Sequence, residues 1–276
     1  MALRAGPRVL RVVVLLVALA ALGVGASVAP SAMAQSHERR PWLGVALERG
    51  GVGARVGHVV RGSPAGNAGV HEGDTIVALD ALPMSNARDV LDSVAARRAG
   101  DLVELAVARA DERRVVRVLL SAMPSADEIL RMDLVGAPAP MWTGIASATG
   151  EFPETLGALR GRVVLLDFWA TWCGPCRMMS TNLGALQAQY GARGLSVVGL
   201  STEDSQRVAS FARRTSMPYP VASDANAETT RSYGIANLPT VVMIDKHGVV
   251  RDVAIGYDAA SATRIEGAVR QLLAEP

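Results

Sequence analysis

The chain has 276 residues, of which 50% are hydrophobic and 20% charged, with two cysteines and four histidines. That length exceeds one typical domain, and that balance excludes a disordered chain, so two folded cores are the first expectation. The formal net charge of +2 falls once the N-terminus is read, and it implies no nucleic-acid or anionic-membrane surface.

Arg4, Arg8 and Arg11 precede an uncharged apolar run from Val12 to about Ala29, and Ala32-Met33-Ala34 follows with the small-residue pattern of a signal-peptidase site. Residues 1–34 therefore read as a secretory signal with Gln35 as the mature N-terminus. The alternative is an uncleaved anchor, since about eighteen apolar residues can just span a bilayer. Glycines, Ser27 and Pro30 weaken such a helix. Removing the three arginines leaves 25 basic against 26 acidic residues, and the net charge becomes −1. An exported location, periplasm or cell envelope, also suits a chain with two cysteines and no spare thiol.

Residues 42–121 read as a small, mainly β domain. WLGVALE is a short apolar strand, and Asn86 to about Arg98 is a helical stretch. Asp101–Arg109 and Arg113–Leu120 alternate as two strands, with Ala110, Asp111 and Glu112 supplying the turn. The intervening GSPAGNAGVHEGDTIVALD resembles the signature of bacterial PDZ domains of the HtrA type. Trp42-Leu43-Gly44-Val45 falls where that family has its carboxylate-binding loop. Successive backbone N–H groups at Leu43, Gly44 and Val45 can cradle a terminal carboxylate while the next strand pairs with an extended peptide. Val90 and Val94, one helical turn apart, suit either the other wall of that groove or plain core. Asp80-Ala81-Leu82 stands where the family usually has a glycine, so a different turn is expected there. No Ser/His/Asp arrangement or G-x-S-x-G accompanies the module.

Residues 122–136 form a connector in which Ser125 and Glu128 are spaced as a capping box for a short helix ending near Val135-Gly136. From 137 to 276 strands and helices alternate, which defines an α/β unit with a mixed sheet flanked by helices. Thr143–Ala148 with the Gly150 turn suggests a hairpin, and Pro153–Leu159 a short helix. Val163–Trp169 is an apolar run without alternation, hence a buried central strand. A helix from Pro175 to about Tyr190, a strand from Leu195 to Ser201, and a helix ended by Met217-Pro218 follow. Val221–Asp224, Thr240–Asp245 and Val249–Ile255 are strands; Ala227–Tyr233 and Ala260–Ala274 are helices.

The chemistry is concentrated in VVLLDFWATWCGPCRM, residues 163–178. Pro175 suits the first turn of a helix. Cys173 then sits at the helix N-terminus, where free N–H groups and the macrodipole favour a thiolate. Cys176, one turn on, can reach back to a mixed disulfide formed at Cys173. The pair points to dithiol–disulfide exchange. Half of a zinc site is the alternative, but structural zinc wants four ligands, and His37, His58, His71 and His247 show no ligand spacing. Asp167, amid Val, Leu and Phe, has no evident route to solvent, so a raised pKa and a proton-handling role are expected. A strand-end carboxylate with a backbone or water partner is the plainer reading.

DFWATWCGPCR resembles the active-site segment of thioredoxins and of their TlpA/ResA-like extracytoplasmic branch, and the likeness covers about residues 136–276. It implies a thioredoxin fold behind the PDZ domain, with no cofactor and no metal. It implies that Asp167 matches the buried aspartate that assists the second cysteine. Gly234-Ile235-Ala236-Asn237-Leu238-Pro239-Thr240 resembles the motif whose proline is cis, packs beside the disulfide and offers the preceding backbone to substrate. Trp169 and Trp172 are expected to pack around the site, with Gly174, Pro175, Leu238 and Thr240 supporting it. Two departures stand out: Thr181 replaces the usual kinking proline, and Met179 occupies the place of a TlpA-type glutamate. By resemblance the chain is a protein-disulfide reductase of envelope proteins, supplied by a membrane electron donor, with the PDZ module binding peptide C-termini. The competing reading is a PDZ-based adaptor in which the redox domain is secondary.

Overall fold

In a computed structural model the residues described are 40–48, 53–110 and 112–276. The expected signal segment lies outside them. Among the described residues no helix is long and apolar enough to cross a membrane.

The N-terminal domain contains β1 (Pro41–Trp42), β2 (Val45–Leu47), β3 (Ala54–Val59), α1 (Pro64–Asn67), β4 (Thr75–Leu79), β5 (Leu82–Pro83), α2 (Ala87–Ala95), β6 (Leu102–Arg109), β7 (Glu112–Leu119) and β8 (Ser121–Ala122). The sheet runs β2-β3-β4-β6-β7, with β5 on β4, and β1 pairs with β8 to bring the two ends together. Period-two patterning does the sorting: Val103, Leu105 and Val107 point inward and meet Ile76, Val90 and Val118 in one core. Fully burying such a side chain contributes roughly 1.5–3 kcal/mol.

Two local expectations change here, at WLGVALE and at Glu112, while the turn after β4 departs from the family's as expected. WLGVALE is broken into β1 and β2 because Gly44 takes φ +85°, and a Cβ there would lie 2.1 Å from the Ser63 Cβ. The turn after β4 forms without glycine, Asp80 and Ala81 both adopting positive φ (48° and 66°). Asp80 offsets the steric cost with its own carboxylate, which accepts from the Glu104 N–H at 2.9 Å and from Arg97 at 2.7 Å. Glu112, expected in the next turn, already belongs to β7.

The C-terminal domain follows with α3 (Ala126–Leu134), β9 (Ala146–Thr149), β10 (Val163–Phe168), α4 (Gly174–Tyr190), β11 (Leu195–Ser201), α5 (Ser205–Arg214), β12 (Val221–Ser223), α6 (Glu228–Ser232), β13 (Thr240–Ile244), β14 (Val250–Ile255) and α7 (Ala259–Ala274). Ser125 and Glu128 close the capping box that starts α3. Leu134 of that helix is buried in the core, and Arg131 donates to the Val253 carbonyl of β14 at 3.2 Å. The mixed sheet has the order β14-β13-β10-β11-β12-β9. β10 pairs parallel to β11 and antiparallel to β13, so it lies at the centre.

Every residue of β10 is buried. Val163 and Leu165 join a cluster with α4, α5 and α7. Val164, Leu166 and Phe168 join another with Trp142, Phe152 and Tyr233. This explains the absence of alternation, since both faces of the strand are covered. The expected hairpin near Thr143–Ala148 does not form. Instead β9 pairs with β12, and Thr143 is held by the Thr229 hydroxyl at 3.0 Å. The short helix expected after Pro153 is a 3-10 turn, Leu156–Leu159.

Candidate active site

The site grows out of the C-terminal end of β10. After Phe168 the chain turns through Trp169–Trp172, and the segment is fixed by Glu203, whose carboxylate accepts from the Thr171 N–H at 2.6 Å and the Thr171 hydroxyl at 2.8 Å. Cys173 is the N-cap of α4 and Pro175 lies in its first turn, as the spacing predicts. The Cys173 Sγ accepts from the Cys176 N–H at 3.2 Å. A free N–H aimed at this sulfur, together with the dipole of a 17-residue helix, favours negative charge on it. Cys173 and Cys176 form a disulfide, their Cα atoms 5.3 Å apart. Cys173 retains 5% exposure and Cys176 none. The asymmetry suits a sulfur that meets other molecules and one that meets only its partner.

Trp169 and Trp172 part company. Trp169 is buried and packs on Phe211, with ring centroids 5.5 Å apart. It fits because Gly199 of β11 has no side chain: a Cβ there would approach the indole Nε1 to 2.9 Å. Trp172 corrects the expectation of packing, since it is 73% exposed. Thr171 is turned in to Glu203, and Trp172 follows it in the turn closed by the Cys173 N–H on the Ala170 carbonyl at 3.1 Å.

Asp167 lies on the β10 face shared by Leu165 and Trp169, opposite Gly199 of β11 and Val241 of β13. It is fully buried. Tyr219 donates to its Oδ2 at 2.7 Å, and its Oδ1 has no hydrogen-bond partner among the described residues. Burial pushes the carboxyl up to about 7, against the Tyr219 hydrogen bond, which pulls the other way. Tyr219 is itself pushed well above the ordinary phenol range by burial and by the carboxylate it faces. Sequence reasoning found Asp167 but missed Tyr219 and Glu203. Neither belongs to a motif; both reach the site only through folding.

Leu238–Pro239 is cis. Thr240 opens β13 opposite Phe168, so the proline loop stands at the same end of the sheet as the cysteines. The Thr240 hydroxyl donates to the Asn237 carbonyl at 2.8 Å, and the Asn237 amide donates to Asp127 of α3 at 3.2 Å. Leu238 packs against both cores. α4 runs without interruption past Thr181, and Met179 is fully buried, so the helix carries no acidic group there. Among the described residues no group of three His, Cys, Asp or Glu is placed to hold a metal ion.

In the other domain a cavity of about 620 Å³ lies between β2 and α2, lined by Leu43, Gly44 and Val45 and by Val90 and Val94. The two valines serve as core and cavity wall at once. β2 is an edge strand. The aspartate of the GSPAGNAGVHEGD stretch, Asp74, is buried and accepts two hydrogen bonds from Arg109 at 2.7 and 2.9 Å and one from the His71 N–H at 2.9 Å. The Arg109 hydrogen bonds hold its carboxyl below the usual range despite burial.

A buried central strand of a mixed sheet leading into a CxxC pair that caps a helix defines a dithiol–disulfide protein of thioredoxin-like fold. The family models and the relatives by sequence agree. The Redoxin family model matches residues 134–271, and the PDZ domain model matches residues 41–120. The thiol-disulfide oxidoreductase ResA of Oceanobacillus iheyensis is 31% identical over 156 residues, 55% of this chain and 79% of that protein. ResA of Bacillus anthracis is 30% identical over 139 residues, 50% and 78% respectively. A solved thiol:disulfide interchange protein of the thioredoxin family from Chlorobium tepidum is 28% identical, with a TM-score of 0.43, covering 51% of this chain and 99% of that one. The chain belongs to the redoxin family, joined to a PDZ domain. It is a thiol–disulfide oxidoreductase.

Proposed function

We propose that the protein is an exported reductase of envelope-protein disulfides. The observation that carries this reading is the buried Asp167 beneath a CGPC disulfide whose first cysteine caps α4 and meets solvent. In the reduced enzyme the Cys173 thiolate attacks a client disulfide, forming a mixed disulfide and releasing one client thiolate. The Cys176 thiolate then attacks the Cys173 sulfur, the second client thiol leaves, and the intramolecular disulfide closes. Two electrons pass to the client. Asp167, poised near neutrality, takes the proton that Cys176 must lose. The exposed Trp172 and the backbone beside Pro239 offer an apolar surface and hydrogen-bonding groups to the client. A membrane donor restores the dithiol. The Gly-Pro between the cysteines supports reduction over oxidation, because it resembles the pattern of reducing thioredoxins.

The groove between β2 and α2 supports a second task, capture of client C-termini, with Leu43, Gly44 and Val45 receiving the carboxylate. Such capture raises the client's effective concentration at the thiols. Cys176→Ser expressed in the native envelope should trap clients covalently through Cys173. Deleting residues 42–121 should reduce the yield of clients with apolar C-termini. No trapped client, with insulin left oxidised by the pre-reduced protein, would overturn the reductase reading. Full biological activity of Cys173→Ser would favour a peptide-binding adaptor instead.

A further inference from the structure

The segment joining the two domains leaves little room for a hinge. β8 ends at Ala122 and Ser125 caps α3, so only Met123 and Pro124 lie between them. The Met123 N–H donates to the Arg40 carbonyl at 2.8 Å, and the ring of Pro124 fixes its φ. Beyond α3 the chain is stitched to β14. The Gly136 N–H donates to the Val250 carbonyl at 2.7 Å, and the Val250 N–H donates to the Ala137 carbonyl at 2.9 Å. A swinging tether is instead long and rich in glycine and serine.

α3 is fastened near each end, to a different domain at each. Near its C-terminus Asp133 accepts from the Arg61 N–H at 3.2 Å and lies 2.7 Å from His58 Nε2, while His58 Nδ1 lies 2.6 Å from Glu72. A ring with carboxylates on both nitrogens is fully matched only as the imidazolium. His58 stands on β3 opposite Ala46 of β2, and the Val60 N–H donates to the Gly44 carbonyl at 2.9 Å. The residues that Asp133 grips are thus within two positions of Val60, which braces the carboxylate cradle. Near the other end Asp127 accepts from the Asn237 amide at 3.2 Å, two residues before Pro239. Leu130 covers Gly234, where a Cβ would lie 3.4 Å from its Cδ1. Leu134 in the core and Arg131 on the Val253 carbonyl fix the helix against the redox domain. One nine-residue helix therefore touches both the support of the groove and the loop beside the disulfide.

We infer that α3 is a strut holding the groove and the thiols at a fixed separation, which narrows the substrate class to chains whose free, apolar C-terminus lies a set length of backbone from the cysteine under attack. The inference rests on the reading that the groove captures client C-termini. With both sites fixed, a client spacer shorter than the gap cannot reach. A matched one gains the full effective concentration, and a longer one loses it again.

The test is single-turnover exchange between the pre-reduced full chain and synthetic peptides. Each has a valine C-terminus, a Gly/Ser spacer of about 2 to 30 residues, and one cysteine in mixed disulfide with a chromophoric aromatic thiol. The Cys173 thiolate bonds to the peptide sulfur, the peptide–chromophore bond breaks, and the aromatic thiolate, the better leaving group, gives the signal. Below saturation the rate should peak at one spacer length, about tenfold above both extremes, and a C-terminal amide should remove the peak. A second chain, His58→Ala with Asp133→Ala and a Gly/Ser insertion after Met123, should lose the sharp peak while its rate on the amidated peptides stays at the wild-type value. If amidation changes nothing at any length, capture by the groove falls and the strut with it. If amidation slows exchange but the wild-type profile is no sharper than the second chain's, capture stands and the strut alone is overturned. Should the second chain not fold, the wild-type profile decides: a rate that depends on the carboxylate but not on spacer length overturns the strut.

Discussion

Among the described residues Asp74, Asp167 and Asp224 are fully buried, and the first two have opposite fates. Asp74 in the N-terminal domain meets a guanidinium and a backbone N–H, and its pKa falls. Asp167 in the C-terminal domain meets one neutral hydroxyl, keeps an unpartnered oxygen, and is pushed up to about 7. Burial is common to both, so burial alone does not set the direction of a pKa shift. What separates the two is whether the fold supplies charge and donors to match the carboxylate. The first domain does so and gains a fastened loop. The second withholds them beside a pair of thiols.

The sharpest way to break this contrast is Asp167→Asn. The wild-type carboxyl has a folded pKa above its unfolded one, so the folded state binds the extra proton between about pH 4 and pH 7. Stability therefore falls as pH rises through that window and levels off above it. From 3.8 to about 7, the loss is on the order of 4 kcal/mol. Asp167→Asn should flatten the slope and be more stable than wild type at pH 8 in denaturant titrations, while disulfide exchange falls about a hundredfold at neutral pH.

The mirror change, Asp74→Ala, should lower stability instead. It strands the His71 N–H and costs the first domain about 2 kcal/mol, with the guanidinium turning to water. Midpoints of urea unfolding, read on that domain, check this, and insulin reduction should be unchanged. The pH dependence of the two acids should also be opposite. The Asp74 contribution is present above about pH 4, the ordinary carboxylate value, and is lost as the pH falls through its lowered folded pKa. Acid unfolding of the first domain should therefore steepen below that point, and Asp74→Ala should remove the step. The smallest effect serves as a control. Ala81→Gly relieves the positive φ of 66° and should stabilise the first domain by about 1 kcal/mol. If thiol exchange responded to that change, the two domains would be coupled through stability and the contrast between their acids would lose its force.

The sequence alone determined the two-module plan, the buried strand Val163–Trp169, the position of Cys173 at a helix start and the suspect status of Asp167. Each is written in local terms: apolar runs, proline placement, cysteine spacing. A charged residue inside such a run has few ways out. Only tertiary structure decided the partners of the buried acids. Tyr219 lies 52 positions from Asp167, Arg109 lies 35 from Asp74, and Glu203 lies 32 from Thr171. It also decided that β9 pairs with β12 rather than folding back on itself, and that Trp172 turns outward while Trp169 turns in. Hydrogen bonds across such distances depend on how strands register and helices dock. A pKa, which sums the donors and solvent around one group, can be read only after the chain has brought them together.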